Sequence, residues 1–279
     1  MLKDEDYKVF ENLLKKESGL VITIDKTYLL ESRLMPVTKK WGMVNLSELA
    51  DKIRLMPEQD LLKDVIEAMT TNETSFFRDS TPFDHFKNVI LPYFLKKKAR
   101  ERKLRIWSAA CSSGQEPYSL AMILKEQSAK ISGWDIEIIA TDLSEEILDQ
   151  AKSGVYSQFE VQRGLPIQLL VQFFEQKEEK WHIKPVIKDM ITFKKFNLLG
   201  SYAGLGKFDM VFCRNVLIYF DVPTKGQVIE AIKGVSAQDA PLILGGAETV
   251  LGITDAYQPV EHHRGLYLRN DTTFEVPEK

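Results

Sequence analysis

Two acidic residues follow strand-like segments, at places where an α/β protein commonly binds its ligand. Glu116 lies in the turn CSSGQEP after the apolar segment LRIWSAA, and Asp142 comes after IEIIA. A carboxylate after the second strand typically accepts hydrogen bonds from ribose hydroxyls, whereas Glu116 would repel a pyrophosphate. The turn has small residues but lacks the fingerprint G-x-G-x-x-G of dinucleotide sites. The two acids therefore favour a nucleoside ligand with a cationic group, such as S-adenosylmethionine, over NAD.

Two further segments are polar enough to line a site. Arg214, Asn215 and Val216 follow the apolar segment FDMVFC and precede Tyr219, as one wall of a pocket would. The segment TNETSFFRD, residues 71–79, has more polar and aromatic side chains than a linker needs. We expect this segment to close over a bound ligand.

A structural interpretation stands beside each of these assignments. Glu116 could be a solvated residue in a tight strand–helix turn, and Asp142 could belong to a helix cap. Likewise, Tyr219 could simply pack beside a buried helix start, and Arg78 could be an exposed residue after a capped turn.

The spacing of apolar residues predicts the elements that must position these side chains. Up to about Asp79, apolar residues recur three and four apart, which predicts a small helical bundle. From Leu104 onwards, strand-like and helix-like segments alternate, and LIL (242–244) and GLYLR (265–269) add later strands. This alternation predicts a mostly parallel, doubly wound α/β sheet. Between Val155 and Leu199 it breaks, and there we predict an antiparallel insertion at the sheet edge.

Length and composition limit the function further. The 279 residues suggest one large domain and a smaller one, and the net charge of −3 gives no general attraction to nucleic acid. No apolar run approaches the roughly 18 residues of a membrane span. The charged, periodic start MLKDEDYKVFENLLKK is unlike a signal peptide, so we expect a cytoplasmic protein with two buried thiols and no disulfide. The histidines lack ligand spacing, so we predict no metal.

Five motifs occur in an order that resembles one protein family: TNETSFFRD, IWSAACSSGQEPYSLAM, ATDLSEEIL, FNLL and FDMVFCRNVLIYFD. They resemble the chemotaxis receptor glutamate methyltransferases, the CheR family, and the likeness covers nearly the whole chain. It implies an α/β fold, with a Rossmann-like S-adenosylmethionine-dependent methyltransferase domain that carries a small β insertion. A small all-helical N-terminal domain would precede it. The implied boundaries are 1–70 for the helical domain, 71–90 for a linker and 91–279 for the methyltransferase domain, with the insertion at about 160–196.

The resemblance also implies a set of site residues. Arg78 and Tyr219 would form the catalytic pair nearest the transferred methyl group. The residues that match cofactor-binding positions are Asn72, Thr74, Arg78, Glu116, Asp142, Asn197, Leu198, Asn215 and Val216. The cofactor would be S-adenosyl-L-methionine, released as S-adenosyl-L-homocysteine.

The implied reaction is the esterification of glutamate side chains on the cytoplasmic helical region of chemotaxis receptors. Acidic residues flank such sites, so a basic docking face is expected, and Arg33, Lys39 and Lys40 at the end of the second helix could supply it. A solvated helix end is the alternative. The insertion is short and lacks a glycine-rich loop, which argues against the binding of a receptor C-terminal pentapeptide, and we expect a monomer. Two other functions stay open: methylation of a small molecule or nucleic acid, and non-catalytic sensing of the cofactor.

Overall fold

A computed structural model describes residues 2–276 and divides the chain into two units. The first contains the residues up to Thr71 together with Tyr219–Thr224, and the second contains Asn72–Ile218 and the chain from Lys225 onwards. Among the described residues, no helix is both long and apolar enough to cross a membrane.

The first unit is built from four helices: α1 (Asp4–Ser18), α2 (Thr27–Lys40), α3 (Leu46–Leu55) and α4 (Gln59–Met69). Their apolar faces meet in a core of their own, in which Phe10, Leu30 and Leu49 are fully buried. Asn45 caps α3, because its side chain accepts a hydrogen bond from the backbone N–H of Glu48 at 3.0 Å.

The strands of the second unit are, in chain order, β1 (Lys103–Ala109), β2 (Asp135–Asp142), β3 (Val155–Ser157), β4 (Phe174–Lys177), β5 (Lys180–Ile183), β6 (Ile191–Lys195), β7 (Met210–Cys213), β8 (Leu242–Leu244), β9 (Tyr257–Pro259) and β10 (Leu266–Arg269). Its helices are α5 (Thr81–His85), a π-helical turn (Phe86–Ile90) that runs into α6 (Leu91–Lys97), α7 (Gln115–Glu126), α8 (Glu145–Ser153), α9 (Gln158–Gln162), α10 (Ile167–Phe173), α11 (Pro185–Lys188) and α12 (Val222–Val235). The first residues of α12 are those that group with the helical unit.

A seven-stranded sheet with the order β6-β2-β1-β7-β8-β10-β9 forms the centre of the second unit. The first five strands are parallel, and β10 and β9 close the far edge in antiparallel pairings. The chain moves outward from β1 to β2 and β6, then returns to β7 on the other side of β1. The gap between the loops after β1 and β7 is therefore the switch point where such sheets bind ligands.

The register places three strand ends side by side. Ala109 at the end of β1 pairs with Thr141 on one side and with Cys213 on the other. The loops that leave these strands therefore start from the same edge of the sheet. All residues of β7 are buried, as expected of a central parallel strand covered on both faces.

A second sheet, in the order β3-β5-β4, is antiparallel and lies outside the main one. Its position along the chain differs from the predicted insertion at about 160–196. It begins earlier, at Val155, and Ile191–Lys195 instead joins the main sheet in parallel to β2. Polar and apolar residues alternate in β6 because it is an edge strand with one exposed face, and not because it belongs to an antiparallel hairpin.

Candidate active site

The loop after β1 turns sharply through left-handed backbone conformations. Ala110, Ser112 and Gly114 have φ values of 56°, 50° and 92°. Gly114 also has no room for a side chain, because a Cβ there would lie 3.0 Å from the Cβ of Ala151 and 3.1 Å from the ring of Tyr118. The turn carries Ser112 to the end of the neighbouring strand β2.

Asp142 is held in place by the backbone of two loops. Its Oδ2 accepts the N–H of Ser112 at 2.8 Å, its Oδ1 accepts the N–H of Ser144 at 3.1 Å, and the residue is only 8% exposed. The hydroxyl of Ser112 donates in turn to the carbonyl oxygen of Asn72 at 2.7 Å. The structure therefore joins the predicted ribose acid to the start of the segment expected to cover the ligand.

Glu116 lies at the start of α7 and is bound to a buried arginine. Its Oε1 accepts the hydroxyl of Ser108 at 2.8 Å, and its Oε2 accepts Nη1 of Arg214 at 2.8 Å. The side chain of Arg214 is 2% exposed, and its Nη2 donates to the carbonyl oxygen of Arg78 at 2.7 Å and to Oδ2 of Asp79 at 2.9 Å. Glu116 and the backbone of Arg78 thus share one guanidinium.

Arg214 also carries a buried donor that nothing satisfies. Within the described part of the chain, its Nε has no hydrogen-bond partner. A buried donor left unpaired costs about 1–3 kcal/mol.

The backbone around Arg78 is strained. Phe77, Asp79 and Ser80 have φ values of 49°, 67° and 39°, a region that costs a non-glycine residue roughly 1–3 kcal/mol. The N–H of Phe77 donates to the hydroxyl of Ser119 at 3.1 Å. The guanidinium of Arg78 donates through Nη1 to the carbonyl oxygen of Glu73 at 2.9 Å and is half-buried.

Phe76 anchors the start of this turn. It is fully buried, and its ring packs edge-on against Tyr156 at 5.0 Å and Phe174 at 5.6 Å between ring centroids. Its carbonyl oxygen lies against Gly164, where a Cβ would clash with that oxygen. The turn is therefore fixed from its N-terminal side by packing.

Glu248 shapes the loop after β7. It is 8% exposed, and its Oε2 accepts the N–H groups of Asn215 at 2.8 Å and Gly245 at 2.7 Å. Its Oε1 accepts the N–H groups of Val216 at 2.9 Å and Ile218 at 3.3 Å. Asn215 adopts a left-handed φ of 59°. One carboxylate thus fixes the backbone of both residues that were predicted to line the methionine end of the site.

Asn197 and Leu198 lie in the turn after β6, beside the end of β2. The preceding N–H, of Phe196, donates to the carbonyl oxygen of Asp142 at 2.9 Å, and Leu198 is buried. Fully buried Trp107 packs against Phe196 with ring centroids 5.7 Å apart. An apolar wall therefore adjoins Asp142, the predicted ribose acid, as an adenine ring would require.

The structure links most of the predicted cofactor residues but not all of the predicted site. Ser112 links Asn72 to Asp142, and Arg214 links the backbone of Arg78 to Glu116. Glu248 holds Asn215 and Val216, and Thr74 lies in the same segment as Asn72 and Arg78. Tyr219 groups with the helical unit, where its carbonyl oxygen accepts the N–H of Val21 at 2.9 Å. The pairing of Arg78 with Tyr219 stays a prediction.

Two of the three predicted docking residues have local partners in the helical unit. Nη1 of Arg33 donates to the carbonyl oxygens of Met69 and Thr70 at 2.9 and 3.0 Å, so it caps the end of α4. Lys40 forms an ion pair with Asp64 at 2.7 Å, and Lys39 is exposed. Their role in docking stays a prediction, although Arg33 has a structural task as well.

Sequence reasoning placed Arg214 in a pocket wall but gave it no contact to Glu116 or Arg78, and it assigned no role to Glu248 or to the side chain of Ser112. The available signals were an arginine directly after a buried strand, and an acid shortly after Gly245-Gly246, which follow another strand. Cys111 lies in the same region, but burial raises the pKa of its thiol well above the ordinary value, and the same holds for Cys213. Neither thiol is suited to act as a nucleophile.

The comparison with known proteins decides the family. The model of the CheR methyltransferase SAM-binding domain matches residues 72–266. The chain belongs to the CheR family of chemotaxis protein methyltransferases. Chemotaxis protein methyltransferase Cher2 of Pseudomonas putida is 41% identical over 94% of this chain and 96% of that protein. Chemotaxis protein methyltransferase 1 of Pseudomonas aeruginosa is 42% identical over 95% of this chain and 97% of its own length, and the enzyme of the same name from Vibrio cholerae is 38% identical over 95% and 96%.

The chain is therefore a methyltransferase that uses S-adenosylmethionine, and the residues present fit this cofactor. Asp142 at the end of β2 and Glu116 at the start of α7 are buried carboxylates, and an acidic pair disfavours a pyrophosphate. Carboxylate oxygens each accept more than one hydrogen bond, which suits the hydroxyls of a ribose and an α-ammonium group.

Proposed function

We propose that this chain transfers the methyl group of S-adenosylmethionine to glutamate side chains of methyl-accepting chemotaxis receptors, which gives methyl esters. The support is the family itself: relatives that are 41% and 42% identical over nearly the whole chain are named chemotaxis protein methyltransferases. Receptor glutamates are the substrate that this name and the chemistry of the site favour.

The proposed cofactor residues divide into four groups by position. Asp142 would hold the ribose, with Asn197 and Leu198 beside the adenine, and Glu116 would take the ammonium group. Asn215 and Val216 would line the methionine end on the backbone that Glu248 fixes. Asn72, Thr74 and Arg78 would cover the cofactor from the linker segment.

For this methyl transfer, the main task of the protein is to align the two reactants. S-adenosylmethionine, when bound, supplies a methyl group that its positively charged sulfur already activates. A glutamate carboxylate, with an ordinary pKa of about 4.3, is ionised at neutral pH and needs no base. Alignment of two bound reactants can supply on the order of 7–11 kcal/mol, so a site without a metal or strong base is sufficient.

Arg78 and Tyr219 would orient the substrate carboxylate. The guanidinium of Arg78 carries the charge that attracts this carboxylate, and its exposed fraction leaves it accessible. Tyr219 would hold Arg78 or the carboxylate by a hydrogen bond. An ion pair that is too tight would weaken the nucleophile, so the arginine is expected to align rather than to trap the substrate.

Transfer of labelled methyl from the cofactor to receptor-containing membranes tests the proposal. We expect label that alkali releases as methanol, because esters hydrolyse in base whereas methylated amines do not. The variant Asp142→Asn should lose cofactor affinity in calorimetry and transfer together. Label that resists alkali would refute the glutamate ester, and tight cofactor binding without any transfer would favour a sensor of the cofactor.

The antiparallel sheet is proposed not to hold a receptor tail. β4 and β5 are joined by the two-residue turn Glu178-Glu179, so the sheet presents a tight, acidic hairpin end instead of a longer loop that could enclose a peptide. Titration of the chain with a receptor C-terminal peptide should therefore release no heat of binding. The receptor would be engaged through its helical cytoplasmic region, by a monomer.

A further inference from the structure

Arg214, directly after β7, connects the start of α7, which would bind the cofactor, to the turn that carries Arg78, which would orient the substrate. Nη1 binds Glu116, the proposed partner of the cofactor ammonium, at 2.8 Å. Nη2 binds the carbonyl oxygen of Arg78 at 2.7 Å and Oδ2 of Asp79 at 2.9 Å. We propose that Arg214 is a positioning residue that sets the turn carrying Arg78 relative to the cofactor carboxylate. This inference rests on the proposed function.

The turn needs such a contact because its backbone is strained. Left-handed conformations at Phe77 and Asp79 flank Arg78, and a third follows at Ser80. Conformations of this kind persist at non-glycine residues only when the surroundings over-determine them. The packing of Phe76 and the hydrogen bond from Phe77 to Ser119 fix the N-terminal side of the turn. The contact from Arg214 reaches the carbonyl between the two flanking residues, so it sets the direction in which the side chain of Arg78 leaves.

Only an arginine can make this set of contacts. Its planar fork presents several N–H groups in fixed directions, so one side chain reaches a carboxylate on one side and a carbonyl and a second carboxylate on the other. A lysine ammonium is a point charge on a flexible stem. It would pair with one carboxylate and lose the hydrogen bond to the carbonyl oxygen of Arg78. The same fork also orients Glu116, whose other oxygen is held by Ser108 at 2.8 Å. Cofactor contact and Arg78 position therefore depend on one rigid group.

The variant Arg214→Lys tests the proposal, with Arg269→Lys as its matched control. Arg269 also pairs with a carboxylate, that of Asp271, and donates to the backbone carbonyls of Ser236 and Ala237, but it lies at the end of β10. We expect Arg214→Lys to lower kcat about tenfold or more, since a misplacement on the order of 1 Å can cost a hundredfold. The KM for S-adenosylmethionine should change less than kcat does. Arg269→Lys should keep kcat within about twofold.

A double-mutant cycle separates positioning from a structural effect. If Arg214 acts through Arg78, then Arg214→Lys should cost less than about twofold in kcat when Arg78→Ala is already present. Losses that multiply would overturn the proposal, as would a kcat of Arg214→Lys equal to that of the wild type.

Hydrogen exchange keeps the test independent of the substrate. Amides in a peptide spanning residues 74–82 should exchange faster in Arg214→Lys than in the wild type, and should be unchanged in Arg269→Lys. Unchanged exchange in Arg214→Lys would refute the inference even if Arg78→Ala is too inactive for the cycle. If the wild type transfers no base-labile methyl to receptors, the proposed function fails, while the exchange result still decides whether Arg214 holds the turn.

Discussion

Three buried carboxylates at the strand ends are each fixed by donors of the protein. Asp142 accepts backbone N–H groups from Ser112 and Ser144, and Glu116 accepts a hydroxyl and a guanidinium. Glu248 differs because all four of its hydrogen bonds come from the backbone of the loops after β7 and β8. We infer that Glu248 builds the wall of the site and that the other two acids face the ligand.

The variant Glu248→Gln tests this division. An amide replaces one acceptor oxygen by an NH₂ donor, which would oppose the N–H groups of either Asn215 and Gly245 or Val216 and Ile218. Hydrogen bonds to a charged group contribute about 1.5–3 kcal/mol, so we expect a loss of roughly 2–4 kcal/mol in the free energy of unfolding. Denaturant unfolding followed by circular dichroism measures this loss. Glu261→Gln, at an exposed residue, should change it by less than about 0.5 kcal/mol. Equal midpoints for the two variants would contradict the assigned role.

The two thiols should be protected from reagents in the folded protein. Burial raises the pKa of Cys111 and Cys213, so at pH 8 the reactive thiolate is scarcer than in a free cysteine, and the reagent also lacks access. We expect a disulfide reagent to modify the native chain at least about tenfold more slowly than the unfolded chain. A cysteine placed at exposed Ser201 should react quickly in the same assay. Rapid modification of two thiols in the native wild type would show that the region opens.

At the scale of elements, the strand ends depend on close backbone approach. A Cβ on Gly245 would lie 2.8 Å from Nδ2 of Asn215 and 2.8 Å from Oε2 of Glu248. Gly245 therefore lets the loops after β7 and β8 share one carboxylate. The closeness of β7 and β8 in the sheet fixes the geometry of the predicted methionine end.

Gly245→Ala should weaken cofactor binding. The added methyl would push Asn215 and Glu248 apart, and we expect the Kd for S-adenosylhomocysteine to rise about tenfold, or about 1.4 kcal/mol, in calorimetry. Gly234 in α12 is the control, because a Cβ there meets nothing within 4 Å. Gly234→Ala should leave the Kd unchanged and raise stability by up to about 1 kcal/mol. If both variants bound the product like the wild type, the close approach would have no bearing on the site.

The sequence predicted the strands that are buried on both faces, and it failed for an edge strand and for a very short strand. The central strands β7 and β8 are continuous apolar runs, and β1 is apolar at Leu104, Ile106 and Trp107, so the positions of all three were visible. β6 was misassigned because an edge strand alternates as a hairpin does, and β9 was missed because it is three residues long and ends in proline.

The same limit applies to the site. The acidic residues Glu116 and Asp142 could be predicted as site residues, because their position shortly after a predicted strand is enough to suggest this role. The partners of Arg214 lie 98 and 135 residues away in the sequence, and no local pattern reveals them.

At the scale of the whole molecule, charge is balanced and recognition of an acidic partner must be local. The net charge is −3, and the most basic run, residues 96–103, is partly neutralised because Lys98 binds Asp209 and Lys103 binds Asp135. In the helical unit, Arg33 caps α4. Lys39 and Lys40 lie outside this cap, although Lys40 pairs with Asp64, so they are the residues of the predicted docking face that are tested by substitution.

The double variant Lys39→Glu/Lys40→Glu should weaken receptor use selectively. Two reversed charges facing an acidic helical region would cost about 1.4 kcal/mol in total, so we expect the KM for receptor to rise about tenfold with kcat nearly unchanged. The control Lys96→Glu/Arg100→Glu reverses two exposed charges of the basic run and lowers the net charge by the same amount. It should leave the KM within about twofold. Because exposed charges are screened within about 8 Å at physiological salt, the difference between the two variants should shrink as salt is raised. Equal KM values for both variants at low salt would remove α2 from the docking surface and leave the active-site proposals intact.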